Sequence, residues 1–78
     1  MPETLAQQMG IVIRSLRTEV GLSQEELAAR CGLHRTYIGS IERGEKTITI
    51  ETAQKLAKAF EISLTQLFSQ LESQDGCR

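Results

Sequence analysis

The sequence predicts a small all-α domain of five helices. Apolar residues recur at steps of three and four along most of the chain, and glycines close the first three periodic segments. The apolar complement is dominated by Leu, Ile and Ala, which favours helix over strand.

The first helix is expected from about Glu3 to Val20. Leu5, Met9, Val12, Ile13, Leu16 and Val20 form one stripe, with Arg14, Arg17 and Glu19 off it and Gly21 as the stop. Ser23 opens the second helix. Glu26 stands three residues on, so each side chain can satisfy the other's backbone amide in a capping box. Leu27, Ala28 and Cys31 form its apolar face, and Gly32 ends it. The third helix runs from about His34 to Arg43 and stops at Gly44, with Ile38 and Ile41 inward. The segment from Glu45 to Ile48 reads as a loop. Thr49 caps a fourth helix that ends near Phe60, with Ala53, Leu56, Ala57 and Phe60 inward. Ser63 caps a fifth, which carries Leu64, Leu67, Phe68 and Leu71. Residues 1–71 are thus one domain, and 72–78 are expected to be a flexible polar tail.

The composition removes several classes. At 78 residues, 40% apolar and 24% charged, the chain lies in the globular range and holds one domain at most. Its core is thin, and oligomerisation is one way to make such a domain comfortably stable. The longest apolar run is Ile11-Val12-Ile13, far short of the roughly 18 residues of a membrane span. The N-terminus lacks the layout of a signal peptide, so a cytoplasmic protein is expected. Cys31 and Cys77 lie far apart, and one histidine with two separated cysteines makes no metal-ligand set. No cofactor, no metal and no membrane partner are expected. Catalysis finds no support, because a nucleophile–base set, a phosphate-cradling loop and a paired-carboxylate pocket are all missing.

The informative stretch is residues 24–43. Two short helices meet at a tight turn, with Ala28 four residues before Gly32 and Ile38 six after it. A close helix crossing needs this layout: a small residue for approach, a glycine for a left-handed turn, a branched residue to fill the angle. Outward on the third helix remain Arg35, Thr36, Tyr37, Gly39, Ser40 and Arg43. Such a polar, hydrogen-bonding face suits the reading of base edges in a major groove. The net charge of −1 is low for a DNA-binding chain. Between Arg30 and Lys46, however, four basic residues face two acidic ones.

At the words Ile13-Arg14-Ser15-Leu16-Arg17, Gly21-Leu22-Ser23-Gln24-Glu25-Glu26-Leu27-Ala28 and Ile41-Glu42-Arg43-Gly44, the chain resembles the XRE family of Cro and phage-repressor-like regulators. The resemblance covers about residues 8–70 and implies a five-helix repressor-like helix-turn-helix fold. The run Arg35-Thr36-Tyr37-Ile38 with Ile41-Glu42-Arg43 is similar, more narrowly, to controller proteins of restriction–modification systems. That implies a homodimer on double-stranded operator DNA regulating transcription, with RNA polymerase as a further partner. Other XRE-type repressors, antitoxins and protein-interaction modules are the rival readings.

Single residues carry two readings each. Arg35, at the start of the third helix, can donate two bonds to one guanine; otherwise it is a phosphate clamp or a solvated cation. Thr36 meets a base, a thymine methyl or a phosphate, or merely occupies the first turn. Tyr37 reaches a phosphate through its hydroxyl or is core. Ser40 lies a turn further on and is expected at the DNA. Gln24 opens the second helix, where outward amides favour an anion, and the resemblance implies a backbone contact there. Arg43 and Lys46 suit phosphates. His34 stands where the family commonly has Asp or Ser as helix cap, and it faces the DNA or is simply tolerated. The resemblance also implies that Glu42 pairs with Arg17 and pins the first helix to the third. On the fifth helix, Leu64 and Leu67 can face the core, while Phe68 and Leu71 lack obvious cover within the chain. Leu64, Phe68 and Leu71, in a dimerisation helix of about residues 63–71, are therefore the expected dimer interface.

Overall fold

The computed structural model describes residues 4–76. The expected helix start at Glu3 and the second cysteine, Cys77, lie outside them. Five helices follow in order: α1 (Leu5–Glu19), α2 (Gln24–Cys31), α3 (Arg35–Glu42), α4 (Ile50–Ala59) and α5 (Leu64–Gly76). The described residues contain no strand.

Side chains written just ahead of each helix set its start. Thr4 Oγ1 accepts the Gln7 amide at 3.1 Å, and Gln7 Oε1 accepts the Thr4 amide at 3.0 Å. The same reciprocal box joins Ser23 to Glu26 and Ser63 to Gln66, and Thr49 Oγ1 takes the Thr52 amide at 3.1 Å. At the other end, α1 to α4 share one device. A residue with positive φ follows the helix, and the next amide bonds back to a carbonyl five residues earlier. Leu33 N to Ala28 O at 2.9 Å, after Gly32 at φ 68°, is the example that sets the turn between α2 and α3. After α4 the left-handed position falls on Glu61, φ 59°, which no glycine marks in the sequence.

The core is the meeting place of all five helices. Ile13 of α1, Leu27 of α2, Ile38 and Ile41 of α3, Leu56 of α4 and Leu67 of α5 are fully buried. Helix α3 packs on both α1 and α2, while α4 closes over α2 and α5 closes over α1. Burying large aliphatic side chains is worth about 1.5–3 kcal/mol each, and this cluster is the main term holding the domain.

Four expectations are corrected. Leu5 and Val20 are not core: they are 69% and 51% exposed. They sit at the two ends of the α1 stripe, where the neighbouring helices no longer cover it. The polar stretch after Leu71 continues as α5 to Gly76, because Glu, Ser and Gln interrupt no helix and no glycine or proline intervenes before Gly76. Phe68 and Leu71 do have cover within the chain: both are partly buried against the core. Finally, Gly39 and Ser40 do not stand outward on α3 but are buried. A polar side chain from the following turn folds back over them.

Candidate nucleic-acid interface

The corner of α2 and α3 is held by one carboxylate. Arg17 Nε donates to Glu42 Oε2 at 2.6 Å, and Arg17 Nη2 donates to Glu42 Oε1 at 3.1 Å. Gln24 Nε2 donates to the same Oε1 at 3.0 Å. The remaining Arg17 amine, Nη1, reaches the Leu22 carbonyl at 2.8 Å. The side chains of Arg17 and Glu42 are only 13% and 4% exposed. Glu42, at the end of α3, thereby ties down the end of α1, the loop before α2 and the first residue of α2. The hydrogen bond to Glu42 pushes the Arg17 pKa upward, so the cation is fixed. A bidentate Arg–carboxylate pair fixes direction as well as distance. It sets how the start of α2 is presented beside α3.

Backbone contact brings α1 still closer to α3. A Cβ on Gly10 would run into the carbonyl oxygens of Ile41 and Glu42, the latter at 2.7 Å. Only glycine allows this approach.

On the solvent side, the first turn of α3 is open. Arg35 and Thr36 are exposed, and Tyr37 is half-buried against the core. His34 is the N-cap, and its Nδ1 accepts the Thr36 amide at 3.2 Å. That bond assigns the ring proton to Nε2, which leaves the outer nitrogen as a donor. At the far end of α3, Arg43 bonds to Glu45 and also approaches Ser40 Oγ at 3.4 Å. Ser40 is 8% exposed as a result of its packing, and Gly39 lies between Arg43 and Gln24. Lys46 is exposed in the loop that follows. His34, Arg35 and Thr36 are thus exposed at the start of α3, Arg43 and Gln24 approach Gly39 in its middle, Ser40 is buried, and Lys46 stands in the following loop, on the lining of a second surface. Among the described residues, no group of three or more His, Cys, Asp or Glu could hold a metal ion. No helix of the described chain is long and apolar enough to cross a membrane.

A second surface lies between α1, α4 and α5. An apolar groove of about 220 Å³ is lined by Leu5, Ala6, Met9, Ile48, Ile50, Ala53, Phe68 and Leu71, among others. Leu5 and Ile50 stand 69% and 67% exposed on it.

Comparison with known proteins identifies the fold and its relatives. A helix-turn-helix family model matches residues 13–67. The control protein C.SmaI of Serratia marcescens is 47% identical over 66 residues, spanning 82% of this chain and 79% of that one. The chain belongs to the controller proteins of the helix-turn-helix family. Among solved structures, the restriction–modification controller protein C.AhdI from Aeromonas hydrophila superposes with TM-score 0.78 at 43% identity, covering 81% of this chain and 96% of that one. The controller protein C.Esp1396I, as a tetramer in complex with its natural 35-base-pair operator, superposes with TM-score 0.85 at 34% identity, covering 94% and 96%.

Three features of this controller-type chain escape a reading of the sequence. Gly10 carries a signal, since a lone glycine inside a helical pattern usually has a packing reason. Ile50 and Leu5 carry a weaker one: each is a large aliphatic residue in the first turn of a helix, but only folding places them on the same groove. The fold-back of Arg43 onto Glu45 has no sequence signal beyond opposite charges two residues apart.

Proposed function

We propose that this chain is a sequence-specific DNA-binding transcriptional regulator, the controller protein of a restriction–modification system, acting on its operator as a homodimer. The observation that carries the proposal is the open first turn of α3, on a corner that Glu42 braces through Arg17 and Gln24. Arg35 and Thr36 project there from a rigid element, as base-reading side chains must. Arg35 offers a fork for guanine; Thr36 offers a hydroxyl and a methyl. Tyr37, His34 Nε2, Gln24, Arg43 and Lys46 surround them as donors to the phosphate backbone, which position the protein without choosing the sequence. Ser40 joins them only when Arg43 lifts away.

Dimerisation supplies the second recognition helix. The apolar groove is the surface we assign to it, with Phe68 and Leu71 of α5 joined by Leu5 and Ile50. Leu64, partly buried near the start of the same helix, is the remaining member of the expected contact. In an isologous pair, each such aliphatic side chain that leaves water contributes about 1.5–3 kcal/mol. Two α3 helices about 34 Å apart then meet successive major grooves. The operator complex of C.Esp1396I supports this reading. RNA polymerase is the further partner through which such binding acts on transcription, and the cytoplasm is the compartment.

The test is operator binding across a salt series. Release of counterions makes log K fall linearly with log salt, steeply for several phosphate contacts. A salt-independent affinity, or equal affinity for operator and scrambled duplex, rejects sequence-specific DNA binding.

A further inference from the structure

Arg43 closes the last turn of α3, and its guanidinium turns back along the helix. Nη2 lies 3.4 Å from Ser40 Oγ, and Nη1 is 3.1 Å from where a Cβ on Gly39 would stand. Two residues on, Glu45 grips the same group at two points, Nε to Oε2 at 3.0 Å and Nη2 to Oε1 at 3.2 Å. The two side chains are 58% and 55% exposed, whereas Ser40 is 8% exposed. A cation is thus folded over the middle of the recognition helix and neutralised there by a carboxylate from its own loop.

This arrangement conflicts with phosphate binding. The guanidinium fork that would engage two phosphate oxygens is already engaged by two carboxylate oxygens. A carboxylate left beside a phosphate repels it. The hydrogen bonds to Arg43 also hold the Glu45 carboxyl below its ordinary pKa, so it stays charged at neutral pH. We propose that Glu45 is an internal competitor for DNA: it holds Arg43 folded over α3 in the free protein, and Arg43 engages a duplex only when a backbone phosphate takes Glu45's place. The inference rests on the DNA-binding reading above and adds a restraint to it. Because phosphate contacts carry no sequence information, the restraint weakens operator and non-operator binding alike.

The experiment compares the full chain with Glu45→Gln, Arg43→Gln and the double variant, all checked for native helicity. Each is titrated with operator and with a scrambled duplex at several salt concentrations. An exposed ion pair is worth little, so removing the competitor should tighten binding about two- to fivefold per protomer, on both duplexes. The salt slope should steepen by about one per protomer, since no carboxylate is left to recapture a cation. In the Arg43→Gln background, Glu45→Gln should give a clearly smaller gain, since only direct repulsion between Glu45 and phosphate is then relieved. Two results overturn the inference alone: no gain from Glu45→Gln in the native background, or the same gain with Arg43 absent, which would mean simple repulsion between Glu45 and DNA. Failure of the native protein to bind operator at low salt overturns the DNA-binding reading and this inference with it.

Discussion

Arg17 and Glu42, 25 residues apart in sequence, meet through a two-point contact of 2.6 and 3.1 Å. Both are largely buried, and Gln24 shares the same carboxylate. Removing one partner leaves a partly buried charged group without its hydrogen bonds, which costs about 1–3 kcal/mol. That is a large part of the stability of any domain this size. Arg17→Ala and Glu42→Ala should each lower the urea midpoint sharply, and the double variant should lose less than the sum of the two. Additive losses would show that the two side chains do not act as a unit.

Arg35 is the expected base contact. Because it is exposed and outside the core, Arg35→Ala should keep the native melting temperature. Binding to the operator should weaken by about 1–3 kcal/mol per half-site, with little change on a scrambled duplex. A variant that keeps the native preference between the two duplexes would assign Arg35 to the phosphate backbone or to solvent.

The groove between α1, α4 and α5 is the expected dimer surface. Phe68→Glu tests it but also touches the core, since Phe68 is partly buried. Ile50→Glu is the cleaner change: its side chain is 67% exposed, so a monomer tolerates it. Sedimentation of Ile50→Glu should give a folded monomer with much weaker operator binding. A folded dimer with native affinity would move the interface elsewhere.

Gly10 is the tightest point between α1 and α3. Alanine there gains up to about 1 kcal/mol in helix propensity. The added methyl, however, meets two backbone carbonyls that cannot rotate away. Overpacking of this kind costs about 1–3 kcal/mol, so Gly10→Ala should lower the melting temperature by several degrees. A raised melting temperature would show that α1 can slide to make room.

Much of the fold was legible in the sequence because its causes are local. Ser23 with Glu26 marks a helix start, Gly32 marks a helix end, and the run from Leu27 to Ile41 shows a tight corner by the sizes of its residues. The same locality explains the error at the C-terminus: a polar run loses its apolar stripe, but polarity by itself ends no helix. The surface of α3 was legible only in its first turn. Arg35 and Thr36 project where the helix period puts them, whereas Ser40 is hidden and Arg43 folded back.

The sequence by itself determined the five helices, the caps at Ser23, Thr49 and Ser63, most of the buried stripe and the kinship that assigns the domain to DNA. Each of these depends on neighbours within about one or two helical turns. Tertiary structure alone decided which distant groups meet. It joined Glu42 to Gln24, pressed Gly10 onto the carbonyls of Ile41 and Glu42, and set Leu5 beside Ile50 and Phe68 on one apolar groove. Those contacts depend on how helices cross, and crossing angles follow from the packed core as a whole rather than from any single segment.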